Sequence, residues 1–157
     1  NDDHNISPVT KRSAFVSLVA ILLLLSGCAS VPMADLEQDA KLKTFTIEPD
    51  KTALYVYRNE NFGGAVKMTV LLDGRLLGDT ASKTYLYTEI TPGKHQLVSK
   101  AENDSILDFT AVAGKIYYVW QEVKMGFFFA RSQLQSVDEK TGQAGVIESK
   151  LAVPAKQ

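Results

Sequence analysis

Cysteine is almost absent from this chain of 157 residues, and the single one, Cys28, has no partner for a disulfide within the chain. A fold without internal disulfides must take its stability from its apolar core. An excess of one charge is also lacking, because 17 lysines and arginines stand against 18 aspartates and glutamates. The sequence therefore lacks the basic surplus that nucleic acid binding needs, and no nucleic-acid partner is predicted.

Side chains suited to catalysis are equally scarce. The two histidines, His4 and His95, are too few for a metal site or an acid–base pair. Asp73 and Asp79 lie beside turn residues, where aspartate is favoured for its hydrogen bonds to the backbone. The chain has no Gly-x-Ser-x-Gly or Ser-x-x-Lys pattern, and Gly63-Gly64 lacks the lysine of a phosphate-binding loop. We predict no catalytic residue, no metal site and no cofactor.

Long apolar runs are missing as well, since the longest covers only residues 14–27. Crossing the ~30 Å apolar core of a bilayer takes roughly 20 helical residues, so this run is too short for a comfortable transmembrane anchor. Lys11 and Arg12 precede it, and a short apolar run behind a positive segment is typical of a secretory signal peptide. A plain short membrane anchor with an incidental cysteine stays open as the alternative.

The apolar run ends in Leu25-Ser26-Gly27-Cys28, which resembles the lipobox of bacterial lipoproteins at every position. The resemblance implies cleavage between Gly27 and Cys28, followed by acylation of Cys28. Each buried methylene contributes ~0.8 kcal/mol, so two or three acyl chains would hold the protein on a membrane almost permanently. In such lipoproteins an aspartate directly after the acylated cysteine favours retention in the inner membrane, and here that position is Ala29. The resemblance therefore implies a cell-envelope protein of the outer rather than the inner membrane, with its domain facing the periplasm.

The rest of the sequence divides into a tether, one domain and a tail. We assign residues 1–27 to the signal peptide, 28–50 to the lipidated cysteine and a flexible tether, 51–151 to the domain and 152–157 to the tail. The Val31-Pro32 step disfavours helix and favours a linker. Within the tether, residues 36–42 are expected to form one weak helical turn and residues 44–47 a short edge strand.

β-Branched and aromatic residues dominate residues 51–137, and turn residues interrupt them about every ten positions. Apolar residues alternate with others over residues 66–72, the period-two pattern of a strand with one face in a core. Asp73-Gly74 predicts a tight hairpin, and Thr91-Pro92-Gly93 predicts a second one. These patterns predict an antiparallel β-sandwich. Further strands are expected over residues 106–112, 115–123 and 127–137.

The C-terminal part of the chain departs from the β pattern. Asp138 can cap a helix, and apolar residues follow at helical spacing. Gly142 and Gly145 weaken this helix by ~1 kcal/mol each relative to alanine. We predict a short C-terminal helix on the sandwich. The face expected to pack consists of Val137, Ala144, Ile147 and Leu151.

Four short motifs follow one another in the domain: Leu54-Tyr55-Val56-Tyr57-Arg58, Val70-Leu71-Leu72-Asp73-Gly74 with Leu77-Gly78, Thr91-Pro92-Gly93-Lys94-His95, and Gly114-Lys115-Ile116-Tyr117-Tyr118-Val119. Their order and spacing over roughly residues 51–151 resemble a bacterial lipoprotein family of unknown function, DUF2846. The Asp-Gly hairpin followed by Pro-Gly-x-His is also similar to PEGA-type β modules of cell envelopes. The resemblance implies a β-sandwich-like fold and an envelope location, and it brings no catalytic residues.

Aromatic residues cluster in two neighbouring stretches that we expect to pair as one hairpin. Consecutive strand residues point to opposite faces of a sheet, so only part of these aromatics can enter the core of the sandwich. The others must be covered by the helix and loops, or by a partner. The candidate partner or ligand surface consists of Tyr118, Trp120, Phe127, Phe128 and Phe129.

The sequence favours a membrane-anchored envelope lipoprotein that acts as a non-enzymatic binding or scaffolding module for another envelope component, with an envelope protein as the expected partner. The alternative is a sandwich that binds a small ligand or lipid, for which a buried pocket near Tyr85, Tyr87, Tyr118 or Trp120 would speak. A hydrolytic enzyme is a distant third interpretation, and it would require His95 to meet two carboxylates in a cleft.

Overall fold

The structure, a computed structural model, describes residues 30–61 and 66–156, which form two packed β-sheets with two short helices. The predicted fold class, mainly β with a short C-terminal helix, is confirmed. The helices are α1 (Leu36–Leu42) and α2 (Glu139–Ile147). The strands are β1 (Thr52–Arg58), β2 (Met68–Leu72), β3 (Arg75–Thr80), β4 (Thr84–Ile90), β5 (Gly93–Lys100), β6 (Asp104–Ala111), β7 (Ile116–Met125), β8 (Ala130–Val137) and β9 (Lys150–Leu151).

The first sheet has five strands in the order β8-β7-β1-β4-β9, with β1 at its centre. All seven residues of β1 are buried, because the second sheet covers one face and the helical segments cover the other. This explains why β1 reads as a continuous apolar and aromatic run without alternation. Most strand pairs are antiparallel, as expected, but β1 pairs with β7 and β4 with β9 in parallel.

The second sheet has four antiparallel strands in the order β3-β2-β5-β6. The predicted Asp73-Gly74 hairpin joins β2 to β3, and both turn residues have positive φ, 51° and 77°. Glycine tolerates this region at no cost and aspartate at a small one, which is why the pair suits the turn. Between the sheets lies an apolar core of Val31, Leu54, Val56, Val70, Leu77, Ala81, Leu86, Leu97, Val119, Leu134 and Ala152.

The second predicted hairpin, at Thr91-Pro92-Gly93, is wrong. Strand β4 belongs to the five-stranded sheet and β5 to the four-stranded one, so this turn carries the chain from one sheet to the other. Strand β5 pairs instead with β6, across a turn at residues 101–103. Turn residues show where a strand ends, but the partner of the next strand depends on contacts far along the chain.

The segment before β1 is more ordered than a flexible tether. Val31 is buried in the core between the sheets, Met33 forms a β-bridge with Ala152, and α1 is a full helix that Asp35 caps. The flexible tether predicted over residues 28–50 is therefore wrong for the described residues from Val31 onward, which are held on the domain by these contacts. The tail predicted over 152–157 also begins inside the fold, because Ala152 is buried.

Residues 44–47 form no strand, contrary to the sequence expectation. Phe45 adopts φ 54° and turns its ring into the tyrosines on the outer face of the five-stranded sheet, 5.6 Å from the ring of Tyr55. An extended strand would carry this ring away from the sheet. Burial of the ring outweighs the cost of left-handed backbone at a bulky residue.

Helix α2 begins as predicted, with the Asp138 side chain accepting a hydrogen bond of 2.7 Å from the Thr141 amide. Two of the four residues expected to pack, Val137 and Leu151, do contact the sheet tyrosines, but they lie outside the helix, and the packed face of α2 itself is different. Ile147 is 60% exposed and Ala144 is exposed, whereas Gly142, Gly145 and Val146 are buried. The two glycines allow the helix backbone to approach the tyrosines of the sheet, so they mark the contact face rather than a defect in the helix.

Candidate binding surface

Strands β7 and β8 form a long hairpin at one edge of the five-stranded sheet. Its closed end continues past the last pair between β1 and β7, Tyr57 with Trp120. The ladder runs from Tyr118 opposite Val137 to Met125 opposite Ala130. The hairpin was predicted, but its second strand was expected to begin at Phe127. In the structure Phe127, Phe128 and Phe129 form the connecting loop and β8 starts at Ala130, so their placement in a strand is wrong.

Glu102, in the turn between β5 and β6, holds this loop. Its carboxylate accepts hydrogen bonds from three consecutive amides, those of Phe127 and Phe128 at 3.1 Å and that of Phe129 at 2.9 Å. The bond from the Phe129 amide, together with those from Phe127 and Phe128, lowers the pKa of the Glu102 carboxyl. A loop whose amides share one fixed acceptor has a defined shape, and Glu102 is the acceptor here.

Two neighbours strengthen this clamp. The side chain of Asn103 donates to the Ser132 carbonyl and accepts from the Ser132 amide, both at 2.9 Å, as a paired strand would. Gly126 is required at its position because a Cβ there would overlap the Phe129 carbonyl and the Glu102 carboxylate. The sequence reading missed Glu102 and Asn103, since their partners lie 25 to 29 residues away and no local pattern announces such a contact.

The clamp leaves the loop side chains in solvent. Phe127 is 84% exposed, Phe128 79% and Phe129 74%, and the preceding Met125 is 76% exposed. The rings of Phe127 and Phe128 meet edge to face, with 4.6 Å between their centroids. We call residues 125–129 the aromatic tip. Exposed apolar side chains standing together on one loop mark a contact surface.

Tyr118 and Trp120 do not join this surface. Tyr118 is buried beneath α2 and stacks on Tyr55, with ring centroids 5.4 Å apart. Trp120 is half-buried and lines a separate cleft beside α2. The five residues predicted as one surface therefore divide into a buried tyrosine, a cleft tryptophan and an exposed tip of three phenylalanines.

The tyrosines around Tyr118 pack together on the outer face of the five-stranded sheet, and Tyr57 and Tyr118 also line surface clefts there. Tyr55 donates to the Leu42 carbonyl and Tyr85 to the Asp39 carboxylate, both at 2.7 Å. Burial raises the pKa of both hydroxyls far above the usual value of 10. We call this group the tyrosine cluster. Its members are Tyr55, Tyr57, Tyr85, Tyr118, Val146 and Leu151.

The cleft beside Trp120 has a volume of about 550 Å³ and is lined by Tyr57 on one side and α2 on the other. Near it, Trp120 Nε1 and Glu60 Oε2 are buried and make no hydrogen bond of normal geometry within residues 30–61 and 66–156, although the Trp120 side chain lies close to the Glu60 carboxylate. Burial raises the pKa of the Glu60 carboxyl, whereas Arg58, beside it at 3.1 Å, and Trp120 oppose the rise. The cleft is a concave site of a size that suits a small ligand, with Asn59, Trp120 and Lys140 on its lining.

His95 has both ring nitrogens engaged. Nδ1 lies 2.6 Å from Asp73 Oδ2 and Nε2 lies 2.6 Å from the Thr91 carbonyl oxygen. Both partners accept hydrogen bonds, so the two contacts are made together only by the protonated ring, which donates from both nitrogens. Burial lowers the pKa of His95, but the bonds to Thr91 and Asp73 outweigh it and raise the pKa overall. This arrangement fixes the turn between β4 and β5 and leaves neither nitrogen to bind a metal or a substrate.

Other predicted sites give little chemistry. Asp73 Oδ1 accepts from the Gln96 amide at 2.9 Å and Asp79 accepts from the Thr69 hydroxyl at 2.7 Å, so the two aspartates serve the β2–β3 hairpin and its neighbour β5. In the part of the chain that the structure describes, no three histidine, cysteine, aspartate or glutamate side chains come together as metal ligands. The predicted cleavage and lipidation sites, Gly27 and Cys28, lie outside the described residues.

Within residues 30–61 and 66–156, no helix has the length and hydropathy to cross a membrane.

The chain is similar to an uncharacterized protein of Haemophilus influenzae, with 32% identity over 147 residues that cover 92% of this chain and 88% of the relative. No solved structure matches it. Residues 48–132 match the family described as protein of unknown function DUF2846. They span β1 to β7 and the aromatic tip, so the chain belongs to the DUF2846 family.

Proposed function

We propose that this protein is a membrane-anchored envelope lipoprotein whose β domain is a non-enzymatic binding module for another component of the cell envelope. The observation that carries the proposal is the aromatic tip, where Phe127, Phe128 and Phe129 stand in solvent on a loop that Glu102 holds in shape. Exposing three phenyl rings does not stabilise the fold. Burying each ring in a contact would contribute on the order of 2 kcal/mol to the free energy of binding.

The anchor rests on Leu25-Ser26-Gly27-Cys28, whose resemblance to a lipobox supports acylation of Cys28. Val31 is buried in the domain, and the three residues from Cys28 to Val31 span at most ~11 Å. An acylated Cys28 would therefore hold the domain directly against the lipid surface. Ala29 in place of aspartate supports the outer membrane, with the domain in the periplasm.

Lipidation has a direct test. The Cys28→Ala chain should fail to incorporate labelled palmitate and should leave the membrane fraction or accumulate with its apolar run uncleaved. A conservative substitution nearby, Ser30→Ala, should change neither result. A Cys28→Ala protein that still takes up palmitate would contradict the anchor while leaving the binding role of the domain open.

Contact through the tip is tested by placing a photo-crosslinking residue at position 128 in the full chain and irradiating intact envelopes. The proposal expects reproducible adducts, with protein or with lipid, from position 128. The matched control position is 112, where Val112 is 51% exposed beyond the end of β6 and outside the tip. Equal or absent adducts at the two positions would contradict a binding role for the tip.

A small-ligand role is the second candidate, and the observation that favours it is the cleft of about 550 Å³ beside Trp120. Trp120 is the single tryptophan of the chain, so its fluorescence reports on the cleft directly. A ligand in envelope extract should change the emission of the unmodified chain and should leave unaffected a Thr141→Leu variant, whose added side chain narrows the cleft. An emission that no extract changes would dismiss this role.

A further inference from the structure

The aromatic tip projects from the domain instead of lining a groove. Residues 125–129 carry no charged or polar side chain, and the only ring–ring contact they make with any described residue is the one between Phe127 and Phe128. A recessed apolar groove suits a peptide or helix from another protein. Rings raised on a loop suit a soft apolar medium that closes around them.

The backbone of the tip already meets the main requirement of such a medium. In hydrocarbon an amide without an acceptor is costly, because no water replaces the lost hydrogen bond. The amides of Phe127, Phe128 and Phe129 all donate to Glu102, and the Met125–Ala130 pair closes the ladder below them. The loop therefore presents phenyl rings without presenting open amide donors at these three positions.

Four charged residues lie next to the aromatic tip, two positive and two negative, and we call them the charged foot: Lys124, Arg131, Glu122 and Glu102. Lys124 and Arg131 face each other across the ladder and are exposed. Glu122 lies 3.3 Å from Lys124, and Arg131 helps to lower the pKa of Glu102. Lys124, Arg131 and Glu122 lie below the apolar tip and the Glu102 carboxylate is bonded to the loop backbone, so both signs of charge are present where zwitterionic headgroups lie above the acyl chains.

We propose that the aromatic tip inserts into the interfacial layer of a lipid bilayer, with the charged foot at the level of the headgroups. This inference rests on the proposed function and names lipid as the component that the tip contacts. The proposed anchor brings a bilayer to the other edge of the five-stranded sheet, because the segment after Cys28 packs beside Ala152 and Val153 while the tip ends the β7–β8 edge. The tip makes a second contact with lipid and fixes how the domain is oriented on the surface.

The test uses the full chain in vesicles of phosphatidylcholine, made with or without bromine on shallow acyl carbons. Trp120→Phe removes the native fluorophore, and Phe128→Trp then places the sole tryptophan on the tip. The matched control carries Trp120→Phe with Val112→Trp, a position that is 51% exposed beyond the other end of the domain. The full chain reaches the vesicle through its apolar run or its acyl chains, so the result does not depend on Cys28.

Insertion ~5–10 Å into the boundary of headgroups and acyl chains should place the indole at position 128 beside the bromines. We expect bromine to remove roughly half of its emission, about fivefold more than it removes from the indole at position 112, with a blue shift at 128 alone. Adding Glu102→Ala should reduce the quenching, because the loop amides lose their acceptor, while the urea midpoint confirms that the domain stays folded.

Equal quenching at positions 128 and 112 would overturn the inference. So would an emission from position 128 that shifts only when envelope protein is added, and in that case the proposed binding function would stand with a protein as its partner. If position 128 also gives no photo-adducts in intact envelopes, the proposed function fails together with this inference.

Discussion

Two groups of aromatic residues lie on the β7–β8 hairpin and differ in how far they are exposed to solvent. Tyr118, in the strand, is 3% exposed and belongs to the tyrosine cluster, whereas Phe127 to Phe129, at the end of the hairpin, are 74% to 84% exposed. The more polar side chains are buried and the purely apolar ones lie in solvent. Side-chain hydrophobicity alone would predict the reverse.

The difference follows from what covers each group. Helix α2, Phe45 and Asp39 close over the tyrosine cluster and supply contacts and hydrogen-bond partners for its hydroxyls. The aromatic tip extends beyond α2, and the contact made there, from Glu102, goes to the backbone and leaves the rings uncovered. The cluster stabilises the fold, while the tip is available to something outside it.

The largest expected effect is on the covered side of this comparison. Gly142→Ala would place a Cβ inside the Tyr118 side chain, and we expect the free energy of unfolding to fall by about 2–3 kcal/mol. At an exposed helix position the same change would instead stabilise by ~1 kcal/mol. Urea denaturation of the variant and of Lys140→Ala, an exposed control on α2, measures the difference. A stabilised Gly142→Ala protein would show that α2 does not press on the sheet.

Removing one hydroxyl from the cluster should have a smaller effect. Tyr85→Phe loses the 2.7 Å hydrogen bond to the Asp39 carboxylate, which should cost about 1–2 kcal/mol of unfolding free energy. The control is Tyr87→Phe, because no hydrogen bond joins the Tyr87 hydroxyl to a described residue. If both variants unfold at the same urea concentration, the hydroxyls of the cluster do not stabilise it.

Removing the His95 ring should change the free energy of unfolding by an intermediate amount. Its side chain is buried, and the strength of its hydrogen bonds depends on pH. Its pKa is raised above the usual 6.5, so its bonds stabilise the fold fully below pH 6.5 and lose this effect as pH rises through the raised pKa. The pKa of Asp73 is lowered from 3.8, so its share is present above pH 3.8 and is lost as pH falls through the lowered pKa. The His95–Asp73 pair therefore stabilises the fold most between pH 3.8 and pH 6.5.

We expect the wild type to exceed His95→Gln in unfolding free energy by about 0.5–1 kcal/mol at about pH 5, and by less at about pH 9. Urea denaturation of both proteins at the two pH values measures this gap, and comparing the two proteins cancels titration elsewhere in the chain. A gap that widens as pH rises would mean that His95 is neutral in the folded state.

The smallest effect on stability should come from the aromatic tip. Phe128→Ser removes a ring that is 79% exposed, and we expect the free energy of unfolding to change by less than about 0.5 kcal/mol. The same variant should lose the envelope component that co-purifies with the wild type. Lost stability with an unchanged partner would mean that the ring serves the fold, and the contrast between the two aromatic groups would disappear.

Local features of the fold were predictable where their cause is local. The Asp73-Gly74 turn follows from two residues that tolerate positive φ, and the start of α2 follows from one side chain, Asp138, that can reach the amide three residues ahead. Both depend on groups within a few positions of each other. The general β character also follows from composition and period, and the matching family supports the four motifs singled out in the sequence.

Predictions failed where the deciding contact lies far along the chain. Gly142 and Gly145 read as weak helix residues because the tyrosines they meet, Tyr118 and Tyr57, come from other elements. The phenylalanines of the tip read as strand residues because β-propensity favours them, but three amides bonded to Glu102 cannot join a ladder. The turn at Thr91 likewise gives no sign of which sheet follows.

By itself the sequence determined an apolar run that ends at Cys28, a chain built of strands and turns, and groups of aromatic residues between Phe45 and Phe129. Only the tertiary structure decided which of those aromatics are covered. Burial depends on which elements meet in space, and here α2 reaches Tyr118 while Glu102 holds the tip outside every layer of the fold. Periodicity describes one element at a time, so it cannot report a contact that two distant elements make together.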